Sequence, residues 1–388
     1  MQLMRNNLIP LFKQIKSANA GLLMQKGLKE WDTDSEKPTK KALIEKIAGA
    51  KADDLYLLAF NRWLNCTFDN DEFVHLSAKV NGRLFTGLAL GGALETGAMI
   101  HHTYGMPMIA GSSIKGAVRA YAEYIFAKRK IVDNQEVIDY RIEIKQGKEI
   151  KHFQFDEDKQ AILNVLFGTE SDDDNAEAGY LIWHDAWWIP NVDKKGRLTQ
   201  SNNCPFVGEI VTVHHQDYYQ GKLDEALDIE SPIPNQQIAM IGSFYFSIQG
   251  DKAWADYALD LLKGALQYQG LGAKGSNGYG YFDNIDGLES ELKKRYNANK
   301  PVRDDIDPIT AKIIQKARGI SEKDLPLQLS KKKNGFFNDL ELDKNNPDDC
   351  KKVAQVFIEE YSDIITQWAD APTGSNLATA YQFIEQYR

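Results

Sequence analysis

Two stretches of this chain combine glycines, hydroxyls and isolated cations in a pattern suited to holding an anion. In Gly270-Leu-Gly-Ala-Lys-Gly-Ser-Asn-Gly-Tyr-Gly280, the glycines Gly270, Gly272, Gly275, Gly278 and Gly280 surround one charge, Lys274. Glycine has no Cβ, so its backbone takes positive φ readily and can lie against a ligand. Successive N–H groups in such a loop form a concave anion site, to which Ser276 and Asn277 add polar groups and Lys274 a point charge. The second stretch is Gly111-Ser-Ser-Ile-Lys-Gly-Ala-Val-Arg119, where a turn feeds directly into a helix start. The first helical turn carries unpaired N–H groups and the positive end of the dipole. Ser112 and Ser113 add hydroxyls, and Lys115 and Arg119 lie four apart on one face. Each stretch also has a plainer reading. Glycine clusters turn chains, and a serine before a helix caps it while the cations stay solvated.

The spacing excludes common nucleotide pockets. The glycine loop lacks the Gly-Lys-Ser/Thr ending of a P-loop. It follows a helical segment and leads toward Tyr279-Gly-Tyr-Phe282, the reverse of a dinucleotide-binding turn. A nucleic-acid backbone, which presents phosphate repeatedly, suits the groups better than one bound mononucleotide.

Other reactive side chains are less organised. His101-His102 and His214-His215 have the chemistry for general acid–base work. No Asp or Glu accompanies them at a spacing that defines a site, so no catalytic residue, metal or cofactor is expected. Asp172-Asp-Asp174 reads as a solvated acidic loop. Tyr218-Tyr219 is either an interface patch or packing.

The 388 residues suffice for two or three domains. A 43% hydrophobic and 26% charged composition is ordinary for a soluble globular protein. The net charge of −9 argues against a free-standing nucleic-acid binder held by bulk electrostatics, though not against a local basic groove. Cys66, Cys204 and Cys350 form no CxxC pair and suit a reducing compartment. No stretch has the length and apolarity of a membrane span, and Met1–Asn7 lacks a signal-peptide core. The location expected is cytoplasmic.

The elements positioning these residues read as α+β. Residues 1–66 are mainly helical, with apolar spacing over Lys40–Lys51 and Leu55–Leu64. A hairpin is expected from Phe73–Val80 through Asn81-Gly82 to Arg83–Leu90. Ser112–Lys130 reads as a helix capped by Ser112 or Ser113, and residues 131–157 as one projecting β-hairpin. Ala161–Phe167 is a short helix, Gly179–Ile189 an aromatic strand, and Gln237–Gln249 a strand before the helix Lys252–Tyr268. A core is expected over 67–287, with a separate helical region over 288–388.

Five blocks in order resemble a known family. Leu94-Glu-Thr-Gly-Ala-Met-Ile-His-His-Thr-Tyr-Gly105 leads into the helix-start motif 111–119. Val213-His-His-Gln-Asp-Tyr-Tyr219 precedes Glu230-Ser-Pro-Ile-Pro234, and the glycine loop closes the series. The helix start and the glycine loop resemble the hallmarks of the RAMP proteins, RNA-binding subunits of CRISPR effector complexes. Together the blocks are similar to the sixth-subunit branch of the type III-B (Cmr) complex. Ala110 departs from the proline usual before Gly-Ser-Ser.

The resemblance implies a ferredoxin-like, RRM-related antiparallel sheet with helices on one face. It implies a non-catalytic subunit that holds CRISPR RNA toward its 3′ end and, through it, pairs with target RNA in antiviral defence. The partners implied are the repeated backbone subunit, the first subunit and the small subunit, with no membrane. Lys115, Arg119 and Lys274 would meet phosphate or ribose without reading sequence. Tyr279 and Tyr281 would stack on bases or pack in the core. His101, His102, His214, His215, Tyr218 and Tyr219 would touch RNA or a neighbouring subunit. The alternative within the family is an endoribonuclease using a histidine or Asp172–Asp174. An unrelated phosphate-ligand binder is a third reading.

Overall fold

The apolar alternation of residues 73–80 and 243–249 pairs these segments at the centre of an antiparallel sheet. The computed structural model describes residues 2–14, 18–31, 38–90, 94, 96–145, 148–169, 176–213, 218, 221, 223–225, 233–300, 306–330 and 335–388. Two compact units result, Met1–Leu292 and Lys293–Arg388.

The first unit opens with helices α1 (Leu8–Gln14), α2 (Ala20–Lys26), α3 (Pro38–Ala48) and α4 (Asp54–Thr67). Strands β1 (Phe73–Val80) and β2 (Met108–Ile109) precede helix α5 (Gly111–Phe126). Then come β3 (Arg129–Val132), β4 (Gln135–Ile138), β5 (Tyr140–Lys145), β6 (Lys148–Phe153) and helix α6 (Glu157–Phe167). The unit continues through β7 (Ile182–Trp183), β8 (Ala186–Trp188), β9 (Phe206–Val213), β10 (Ile233–Met240), β11 (Ser243–Gln249), α7 (Lys252–Gly264) and β12 (Phe282–Asp283). The main sheet has the order β12-β1-β11-β8-β2, with β7 also on β11.

Period-two alternation assigns the two faces of this sheet. Val74, Leu76 and Ala78 oppose Ile248, Phe246 and Phe244 in register, and this face packs with α5 and α7. On the other face Tyr245 meets Phe60 of α4 at 6.2 Å between ring centroids, and its hydroxyl lies 3.0 Å from Thr67 Oγ1. Trp187, opposite Tyr245, stacks with Tyr56 of α4 at 6.0 Å. Helices therefore cover both faces, not one as expected. The sequence reason is that β11 alternates large apolar residues with Tyr245 and Ser247, both buried.

Three further expectations are corrected. Arg83–Leu90 forms no hairpin with β1; Leu84 instead makes an isolated bridge to Met240. The strand expected over Gln237–Gln249 is broken at Ile241-Gly242. There Gly242 has φ +102°, a Cβ on it would lie 2.4 Å from the Trp188 indole nitrogen, and that nitrogen donates to Ile241 O at 2.9 Å. Fitting the indole bends the chain, so β10 pairs with β9 in a separate ribbon backed by α3. Residues 129–153 form two hairpins, β3–β4 and β5–β6, in place of one.

The second unit is helical, and its helix starts carry legible caps. Asp307, Asn346 and Ser375 each accept a hydrogen bond from a first-turn N–H, and Pro308 and Pro347 follow the first two. Its core includes Ile313, Leu329, Phe336, Phe357, Trp368 and Ile384. Among the described residues no helix is long and apolar enough to cross a membrane.

Phe60 is fully buried, so Phe60→Ala is expected to cost about 3–5 kcal/mol in denaturant unfolding. Leu58→Ala, on the exposed side of the same helix, should stay within about 0.5 kcal/mol.

Candidate nucleic-acid interface

The short β2–β8 pairing delivers Ala110 to the start of α5 in extended conformation. Gly111 follows because a Cβ there would lie 2.0 Å from Trp183 O. Its N–H donates to Asp185 Oδ1 at 2.8 Å. The helix is thus capped across the sheet by Asp185, not by Ser112 or Ser113, which lie exposed in the first turn. That carboxylate already meets part of the positive helix end, so less of the dipole remains for a ligand. Asp185 was not legible, because the cap comes from 74 residues downstream.

His101 lies near the same carboxylate. Its ring is 4.7 Å from Tyr104 and 5.0 Å from Trp187, and its Nδ1 is buried with no hydrogen-bond partner among the described residues. Partial burial lowers its pKa, against an opposing pull from Asp185. His102 is exposed, and its carbonyl accepts from Asn19 Nδ2 at 2.9 Å.

The glycine loop is held mainly by its own amides. Leu271 N–H donates to Gly280 O, Ala273 N–H to Phe85 O, and Gly280 N–H to Arg83 O, at 2.8, 2.8 and 2.9 Å. The N–H groups of Asn277 and Gly278 are also bonded within the loop. A Cβ at Gly272 would lie 2.2 Å from Phe85 O, and one at Gly280 2.1 Å from Leu271 O. These glycines permit backbone-to-backbone contact as well as positive φ. Among the described residues, the N–H groups of Lys274, Gly275 and Ser276 bond to no backbone carbonyl. The part of the loop suited to an anion is therefore its tip, where Lys274 itself has φ +65°. Tyr279 packs on Phe85 at 4.9 Å, and Tyr281 is half-buried.

The two stretches lie side by side. A π-helical turn, Ala265–Gln269, joins α7 to Gly270, and Gln269 Nε2 donates to Ala117 O of α5 at 3.1 Å. A Cβ at Gly264 would lie 2.5 Å from the Tyr121 ring, so Gly264 lets α7 approach α5. Helix α5 exposes Ser112, Ser113, Gly116 and Ala120, and among the described residues nothing outside the local helix backbone would lie within 4 Å of a Cβ on Gly116. Arg119 Nε pairs with Glu123 at 2.8 Å. Among the described residues neither Lys115 nor Lys274 is in an ion pair, and both are half-buried. Nothing in the sequence marks Gln269, because a glutamine ending a helix has no distinguishing signal.

Tyr218 is exposed. His214, His215, Tyr219 and Asp172–Asp174 lie outside the described residues. Among the described residues no group of three His, Cys, Asp or Glu side chains is placed to hold a metal.

The sequence model of the RAMP superfamily matches residues 77–283, more than half of the chain, which spans both stretches. The chain belongs to this superfamily. Among solved structures it is similar to a chain in the cryo-EM structure of the type III-B Cmr-beta bound to cognate target RNA. That alignment has 19% identity, covers 64% of this chain and 72% of the other, and has a TM-score of 0.40. For Cmr6 from Pyrococcus furiosus the values are 20%, 54%, 97% and 0.30. For a chain of a CRISPR RNA-guided surveillance complex before nicking they are 10%, 81%, 100% and 0.26. No curated protein matches the chain.

Gly272→Ala is expected to destabilise the unit by more than about 1 kcal/mol, from the φ of +91° and the backbone clash. Gly116→Ala, in open space on a helix, should stabilise by roughly 0.5–1 kcal/mol. Thermal melts of the pair separate a glycine needed for close approach from one that is not. A depressed His101 pKa means the unfolded chain binds the proton more tightly. Stability is then present above the ordinary histidine pKa of about 6.5 and lost as pH falls below it. His101→Phe should flatten the melting-temperature drop between about pH 8 and pH 5.

Proposed function

We propose that this protein is a non-catalytic RNA-binding subunit of a type III-B CRISPR effector complex, holding the guide RNA toward its 3′ end. The observation that carries this reading is the Gln269–Ala117 hydrogen bond, which sets the helix start and the glycine loop against each other within a RAMP-superfamily chain. Lys115 and Lys274 supply charge on the two walls, Ser112 and Ser113 supply hydroxyls, and the small exposed face of α5 admits a close backbone. None of these groups distinguishes one base from another, so sequence is read by guide–target pairing. Affinity is pooled with the repeated backbone, first and small subunits, which accommodates a net charge of −9. The complex acts in the cytoplasm in antiviral defence.

The core of this reading is ferredoxin-like. Taken as β1, α5, β8, β11, α7 and β12, the chain runs β-α-β-β-α-β, and the strand order β12-β1-β11-β8 is last-first-third-second. In this arrangement α4 covers the face opposite α5 and α7. The guide is accordingly held along α5 and the loop and not across the sheet.

Charge reversal at both walls tests the reading. In complex purified with its guide, Lys115→Glu with Lys274→Glu should cut retained RNA several-fold and reduce the salt slope by about two, with melting unchanged. RNA content and salt sensitivity equal to wild type would count against it. Target cleavage lost in His101→Ala while assembly persists would instead favour the endoribonuclease reading.

A further inference from the structure

Tyr268 has no part in the fold described so far. Its side chain is 75% exposed, although the residues around it are fixed. Ala265, Leu266 and Leu271 are 2%, 0% and 4% exposed. Gly270 N–H closes the π turn onto Ala265 O at 2.9 Å, and Gln269 is tied to α5 through Ala117 O. The turn thus holds Tyr268 on a rigid backbone with its ring outward. Such one-turn π insertions recur at functional sites. Among the described residues no aromatic ring or cation packs on Tyr268.

Its position relative to the two walls is defined by its neighbours. Gln269 reaches α5 one turn beyond Ser113, and a Cβ on Gly275 at the loop tip would lie 3.6 Å from Gln269 O. Tyr268 thus immediately precedes the residue that ties this turn to α5, and follows by four residues Gly264, which meets Tyr121 of α5. The two stretches that this turn connects carry hydroxyls and the cations Lys115 and Lys274, which suit a phosphodiester chain better than an apolar protein surface.

We propose that Tyr268 is the stacking platform for one unpaired guide-RNA base at this groove, a role that Tyr279 gives up by packing on Phe85. This rests on the RNA-binding reading above. Lys115 and Lys274 grip phosphate on either side, while the phenol ring takes the face of the intervening base, whichever base it is. Its contribution is then insensitive to both sequence and salt.

The test uses the full-length protein and fluorescein-labelled oligouridylate and oligoadenylate of about ten nucleotides, with affinity read by anisotropy. Tyr268→Phe should bind within about twofold of wild type, because the π face remains. Tyr268→Ala and Tyr268→Leu should each weaken binding at least about fivefold on both probes, with the salt slope unchanged. Lys115→Glu with Lys274→Glu should lower the slope instead. Wild-type affinity in Tyr268→Ala, with binding lost in the lysine variant, overturns the stacking role and leaves the RNA reading standing. Retained RNA affinity with loss of a co-purifying subunit assigns the ring to a protein neighbour and also overturns it. Failure of the wild type to bind RNA, alone and with its partner subunits, overturns the RNA reading itself.

Discussion

Strand β11 is buried on both faces, and the rest of the first unit is arranged around that constraint. Phe244, Phe246 and Ile248 require an apolar layer on one side, while Tyr245 and Ser247 require cover on the other. Helices α5 and α7 supply the first layer and α4 the second. The Tyr245 hydroxyl, carried deep under α4, finds Thr67 Oγ1. Because α4 precedes β1 in the chain, the N-terminal segment is part of the same core and not an appendage to it.

The relation between α5 and the glycine loop depends on that arrangement through a small number of hydrogen bonds. Residues 83–85 run extended between β10 and the glycine loop. Leu84 exchanges hydrogen bonds with Met240, while the carbonyls of Arg83 and Phe85 take the N–H groups of Gly280 and Ala273. The loop is therefore positioned by the edge of the β-structure, and α5 by the cap from Asp185 between β7 and β8. Gln269 closes the remaining gap between them.

The parts of this molecule that declare themselves in sequence are those governed by local rules. Helix periodicity locates α3, α4 and α7, and caps such as Asp307-Pro308 mark the C-terminal helices. The positive-φ glycines of the loop announce a special backbone before its surroundings are known. What stays hidden is set by distant partners. The alternation of residues 83–90 suggests a strand beside β1, but their hydrogen-bonding groups are claimed by Met240 and the loop. The apolar run through 237–249 gives no hint that the Trp188 indole divides it. Asp185, Gln269 and Tyr268 sit in unremarkable contexts, and only the fold brings them beside the two motifs.

The internal bonding of the glycine loop has a thermodynamic consequence. Glycine-rich segments carry the largest conformational entropy in the unfolded chain, and a loose loop would have to surrender it at the moment of association. Here the folding of the β-structure has already fixed Gly270, Gly272, Gly278 and Gly280 at positive φ. A ligand at this loop would meet a backbone whose ordering cost was met during folding. Binding at this edge would then need no disorder-to-order step.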